Sequence, residues 1–143
     1  MESQNASIRE FRIEDYNEVV SLWQEAGLPL RPGDEFEDIK LKLDRDSELF
    51  LVAEEKNQIV GVVMGAWDGR RGWVNHLAVK PTLQRKGIAS ALIDELEKRL
   101  TVKVARMVNA QVYRENTKSL AFFKARGYEI HSDRIMIGKH LNN

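Results

Sequence analysis

Between Trp73 and Leu100 the apolar residues change period, and this junction constrains the fold more than any other stretch of the chain. Trp73 to Val79 has the run of a strand, and Pro81 ends it by removing a backbone donor. Ala89, Leu92, Ile93, Leu96 and Leu100 then recur at helical spacing, so a helix opens near Gly87 and runs to about Leu100. Val102 to Tyr113 reads as a strand again, which makes the whole a strand-helix-strand crossover.

The flanking segments follow the same logic. Ser7 to Phe11 alternates like a short strand, and Tyr16, Val19, Val20 and Trp23 mark a helix that ends at Gly27. Leu28 to Gly33 holds two prolines and a glycine and must be a loop; Phe36, Ile39 and Leu43 then line one face of an acid-rich helix. Glu48 to Glu55 and Gln58 to Trp67 form a hairpin around Lys56-Asn57, with Gly61 and Gly65 marking bulges or close packing. Asp68 to Gly72 turns the chain into the Trp73 strand. Beyond the crossover, Thr117 to Arg126 reads as a helix stopped by Gly127, and Tyr128 to Ile137 as a last strand. The predicted order is an α+β fold of six strands and four helices, antiparallel hairpins first.

With 143 residues, 43% of them hydrophobic, the chain is expected to form a single domain over residues 1–143, with about residues 1–6 as a flexible N-terminus. Lys plus Arg and Asp plus Glu both total 22, so no bulk charge recruits nucleic acid or an anionic membrane. Cysteine is absent, which excludes a thiolate metal site and a cysteine nucleophile. Met1 to Ile8 lacks the apolar stretch of a signal peptide, and no window nears the ~20 apolar residues of a membrane span, so a cytoplasmic location is expected. His76, His131 and His140 have no ligand spacing, and no metal is expected. Arg70, Arg71, Arg85 and Lys86 form no aromatic-basic platform with Trp67 and Trp73, which argues against RNA.

The loop from Val79 to Ala89 carries the chemistry. The first turn of a helix has unpaired N–H groups and a partial positive charge, and Gly87 and Ala89 let a phosphate approach the backbone. Arg85 and Lys86 add cationic charge; taken alone, the same residues also describe an ordinary helix start with solvated basic side chains. Neither Gly-x-x-x-x-Gly-Lys-Ser/Thr nor Gly-x-Gly-x-x-Gly occurs, so an NTP-hydrolysing loop and a dinucleotide fold are unsupported.

Gln84-x-x-Gly87-x-Ala89 after Leu77-Ala78-Val79 resembles the pyrophosphate motif of the GCN5-related N-acetyltransferase (GNAT) superfamily, and Asn116 with Ala121 to Tyr128 resembles its later signature. Leu30-Arg31-Pro32, Phe50 to Glu54 and Asp68 to Gly72 look like the YpeA-type bacterial branch. The resemblance implies a GNAT fold: a mixed, mostly antiparallel sheet of about six strands, with a splayed fourth and fifth pair, flanked by four helices. It implies acetyl-CoA as cofactor, its pantetheine arm on Leu77, Ala78 and Val79. The pyrophosphate would lie on the amides of Gln84, Arg85, Lys86, Gly87, Ile88 and Ala89, and further contacts would come from Asn116, Ser119, Phe122 and Phe123. Taken alone, Asn116 also fits a helix N-cap or turn.

The implied activity is transfer of the acetyl group to a primary amine of a small molecule or protein, by direct attack in a ternary complex. An alkylamine of pKa ~10 must lose a proton first. Where the family often places a glutamate, this strand offers Asn75 and His76; His76 is a candidate base or a structural residue. The Leu77 backbone N–H would hold the oxyanion. Phe123 replaces the usual acid tyrosine, so Tyr113 or water would protonate the thiol, which at pKa ~8.5 also leaves unprotonated. Asp34, Glu35, Glu37, Asp38, Asp44, Asp46 and Glu48 would draw a cationic acceptor, or simply form a solvated acidic face. A homodimer is implied. The missing tyrosine and glutamate also fit an acyl-CoA-binding sensor or subunit without turnover.

Overall fold

The computed structural model describes residues 6–141; most of the expected flexible N-terminus therefore lies outside the described residues. One compact unit extends to Asn109 and a second begins at Ala110. The elements are β1 (Ser7–Glu10), α1 (Tyr16–Glu25), α2 (Phe36–Asp46), β2 (Phe50–Glu55), β3 (Gln58–Trp67), β4 (Gly72–Val79), α3 (Ile88–Val102), β5 (Val108–Ala110) and α4 (Thr117–Ala125). The five strands form one mixed sheet in the order β1-β2-β3-β4-β5, with the first three pairings antiparallel.

Local chemistry explains the hairpins. Lys56 and Asn57 both take positive φ, 52° and 65°, the paired left-handed conformation whose twist matches a two-residue β-hairpin. The β3–β4 turn is held by Asp68, whose Oδ1 accepts the Arg70 and Arg71 amides at 2.8 and 2.7 Å and whose Oδ2 accepts the Trp73 indole N–H at 3.1 Å. Residues of alternate parity then face opposite sides of the sheet. Phe50, Val52, Val62 and Ala78 join Val19, Leu22 and Trp23 of α1 and Ile39 of α2 in one core.

The other face belongs to α3. A Cβ on Gly61 would lie 2.8 Å from Ile88, one on Gly65 2.4 Å from Leu96, and one on Gly72 2.5 Å from Leu100. Three glycines on the α3-facing side of β3 and β4 thus let the helix lie close, and Gly61 and Gly65 serve close packing. Arg99 clamps the helix by donating to Glu95, Glu10 and the Glu48 carbonyl at 2.8, 3.0 and 2.9 Å. On the α1/α2 side, buried Asp46 takes Lys42 as ion partner and accepts the Trp67 amide at 3.2 Å, tying α2 to the end of β3.

Two expectations fail. The sheet has five strands rather than about six, because Tyr128 to Ile137 forms no strand: a turn at Ser132-Asp133 interrupts it, and it pairs with no ladder among the described residues. Val102 to Tyr113 contributes only Val108–Ala110, since α3 continues to Val102 and then reverses through a left-handed Val104, whose amide bonds the Thr101 carbonyl at 2.9 Å. Apolar alternation alone does not distinguish a strand from the last turn of a helix.

Candidate active site

The loop between β4 and α3 is shaped by two left-handed residues, Arg85 at φ 68° and Gly87 at φ 86°, with Gly87 as the cap of α3. Alternation of hand along a loop makes successive amides line a concavity. The amides from Gly87 to Ser90 donate to no acceptor among the described residues, so the first turn of α3 presents a row of open donors. Gln84 anchors the loop, its side chain donating to the Val79 carbonyl at 3.4 Å. Ile88, 2% exposed, roots the start of α3 in the core. Open donors at a helix start are what a diphosphate requires.

One strand away in sequence, β4 is bulged. Val62 faces Ala78 and Met64 faces Asn75, so Val63 stands opposite both His76 and Leu77, which fall outside the ladder with β3. His76 adopts φ 52°, a left-handed conformation uncommon for a side-chain-bearing residue inside a strand. The bulge aims its ring at Asp34, and Nε2 lies 2.9 Å from Oδ2. Asp34 is 5% exposed, and the same oxygen accepts the Arg31 amide at 2.9 Å. As a carboxylate Asp34 only accepts, which puts the proton on Nε2 and leaves Nδ1 as the basic atom of a neutral ring. Trp23 packs edge-on against the imidazole with ring centres 4.9 Å apart, and its buried indole N–H has no acceptor among the described residues.

Tyr16 completes the group. Its hydroxyl donates to the Asp34 carbonyl at 2.8 Å, and its pKa is raised by burial first, then by the charges of Glu35, Asp34 and Asp38. The sequence marks Asp34 only as part of an acidic stretch and Tyr16 and Trp23 only as a helix face; their place beside His76 was not legible, because 42 positions separate Asp34 from His76 and no local spacing links them. The acidic stretch is therefore not one surface. Asp34 orients His76; Glu35 and Asp38 form the capping box of α2; Asp46 is buried against Lys42; Glu48 pairs with Lys103 at 2.6 Å; Glu37 lies 3.7 Å from Lys40.

The remaining candidates lie in the second unit. Asn116 caps α4, its side chain accepting the Ser119 amide at 3.1 Å, as its alternative reading anticipated. Phe123 is 6% exposed and packs edge-on between Phe122 and Tyr128, at centre distances of 5.2 and 5.0 Å. Tyr113 is half exposed, and its carbonyl accepts the Asn116 amide at 2.9 Å.

A mixed-sheet α+β protein with open amides at a helix start and a bulged strand before it is the class these features define. Residues 7–128 match the Acetyltransferase (GNAT) family, and the chain belongs to that family. Among solved structures it is similar to Ard1 from Thermoplasma volcanium, with 22% identity, TM-score 0.81, and 90% of this chain and 85% of that one covered. PaiA N-acetyltransferase from Thermoplasma acidophilum, in complex with coenzyme A, gives 21%, 0.80, 88% and 91%. The aminoglycoside acetyltransferase meta-AAC0020 from an uncultured soil metagenomic sample, in complex with sisomicin, gives 18%, 0.77, 99% and 100%. At these identities the likeness is one of fold. Among the described residues no group of acids and histidines is placed to hold a metal ion, and no helix is long and apolar enough to cross a membrane.

Proposed function

We propose that this chain is an N-acetyltransferase that moves the acetyl group of acetyl-CoA to a primary amine, with His76 as general base and Asp34 as the residue that positions it. The observation that carries the reading is the 2.9 Å contact between a strained, bulge-borne histidine and a buried carboxylate. A structural histidine needs no such device, and an inert acyl-CoA-binding module has no use for an oriented base. Membership of the acetyltransferase family, the coenzyme A held by the similar PaiA structure and the open amides from Gly87 to Ser90 support acetyl-CoA as donor. The family match also runs across the boundary between the two units, which supports a single domain. The likeness of Leu30-Arg31-Pro32 to the YpeA-type bacterial branch supports a place there.

The acetyl thioester supplies the electrophile: the amine lone pair forms the C–N bond, the C–S bond breaks, and the thiolate leaves with its electron pair. His76 Nδ1 takes the amine proton, and Asp34 stabilises the imidazolium that results. A bulge amide at Leu77 holds the oxyanion. Phe123 has no proton to give, and a thiolate of pKa ~8.5 departs without one, or with one from Tyr113 or water. The charges of Glu35, Asp34 and Asp38 that reach Tyr16 favour a cationic acceptor.

The test separates donor binding from chemistry. Gly87→Glu is expected to abolish acetyl-CoA binding by calorimetry, because a side chain and a negative charge enter the row of amides. His76→Ala is expected to bind acetyl-CoA as the parent does while kcat over an amine panel falls about 100-fold or more. A parent that binds and never releases thiol would make the chain a sensor, and equal turnover in His76→Ala would remove the histidine from the mechanism.

A further inference from the structure

At the opposite end of the β3–β4 hairpin from the amide row, a cavity of about 420 Å³ is lined by Trp67, Arg70, Arg71, Lys103, Arg106 and Met107, among others. The chain carries no net charge, so four cations around one cavity are not a by-product of a basic composition. Glu48 neutralises Lys103 at 2.6 Å, and Asp68 lies beside Arg70. The Arg71 and Arg106 side chains have no anionic partner among the described residues, and they leave about two uncompensated positive charges at the mouth.

The two basic segments are held in place. Asp68 fixes the Arg70-Arg71 turn through both amides, and the Gly72 amide bonds the Met107 carbonyl at 2.9 Å, stitching that turn to residues 103–107. Val104, a β-branched residue at φ 67°, makes the reversal that brings Lys103 and Arg106 to the same cavity. Converging like charges repel in the absence of a ligand, and rigid guanidinium forks match the oxygens of a phosphate in paired fashion.

We propose that this cavity is a second anion site, separate from the amide row, which takes a small phosphomonoester: the phosphate on Arg71 and Arg106, the organic part against Trp67 and Met107. A dianion matches the surplus charge, and the volume suits a molecule of mononucleotide size.

Calorimetry on the full chain saturated with coenzyme A tests this, with adenosine monophosphate, inorganic phosphate, adenosine and a single-stranded oligonucleotide as probes. The monophosphate is expected to bind, phosphate more weakly and adenosine not at all. Arg71→Ala with Arg106→Ala is expected to weaken the monophosphate at least tenfold, with coenzyme A affinity, amine acetylation and melting temperature unchanged. Monophosphate binding that survives the double variant or is blocked by coenzyme A overturns the proposal. So does no binding, or tight binding of the oligonucleotide alone, which would make the patch a polymer surface.

Discussion

At the scale of single residues, the site depends on which carboxylates are engaged rather than on how many there are. Asp34 and Asp68 illustrate the two uses. Asp34→Asn keeps the side-chain volume but removes the group that fixes the His76 tautomer, so kcat is expected to fall about 100-fold with the KM for acetyl-CoA unchanged. A parallel rise in that KM would mean that Asp34 shapes the donor site instead. Asp68 acts on stability. Its carboxyl is held down to about 2, below the ordinary 3.8, by the Arg71 amide first, then the Trp73 indole and the Arg70 amide. An acid with a depressed folded pKa favours the folded chain fully above its unfolded pKa and loses that benefit as pH falls through its folded value. The melting-temperature gap between the parent and Asp68→Ala is therefore expected to be full above pH ~4 and to close towards pH 2. A gap independent of pH would assign the effect to something other than the carboxylate.

Between elements, the contact of α3 with the sheet depends on glycines that have no room for a side chain. Gly65→Ala would place a methyl 2.4 Å from Leu96 and 2.8 Å from the Leu49 carbonyl, the second of which is backbone and cannot move aside. It is expected to cost about 2 kcal/mol in denaturant unfolding, more than Gly69→Ala in open space, where only the positive φ is at stake. The C-terminal end of the same helix stores strain at Val104. Val104→Gly is expected to raise stability by up to about 1 kcal/mol, since glycine takes the left-handed cap freely and the valine is mostly exposed. If both substitutions moved the unfolding midpoint equally, neither the packing nor the strain reading would stand.

For the whole molecule, donor binding should register as stability. Acetyl-CoA at 100 times its Kd is expected to add about 2.7 kcal/mol and raise the melting temperature of the parent, with no rise in Gly87→Glu. A rise that persists in Gly87→Glu would place the donor elsewhere. The sequence by itself determined the period change at Pro81, the opening of α3 at Gly87, the Lys56-Asn57 hairpin and the membership of the chain in its family, because these depend on neighbours within a few residues. It overstated the last two strands, since a strand exists only when another offers its ladder, and Tyr128 to Ile137 has alternation but joins no ladder among the described residues. Only the tertiary structure decided that Asp34 belongs with His76 and that Arg71 belongs with Arg106. The contact of Asp34 with His76 and the shared cavity of Arg71 and Arg106 bring distant stretches of chain together through a bulge and a helix reversal, and no local spacing encodes where those turns point.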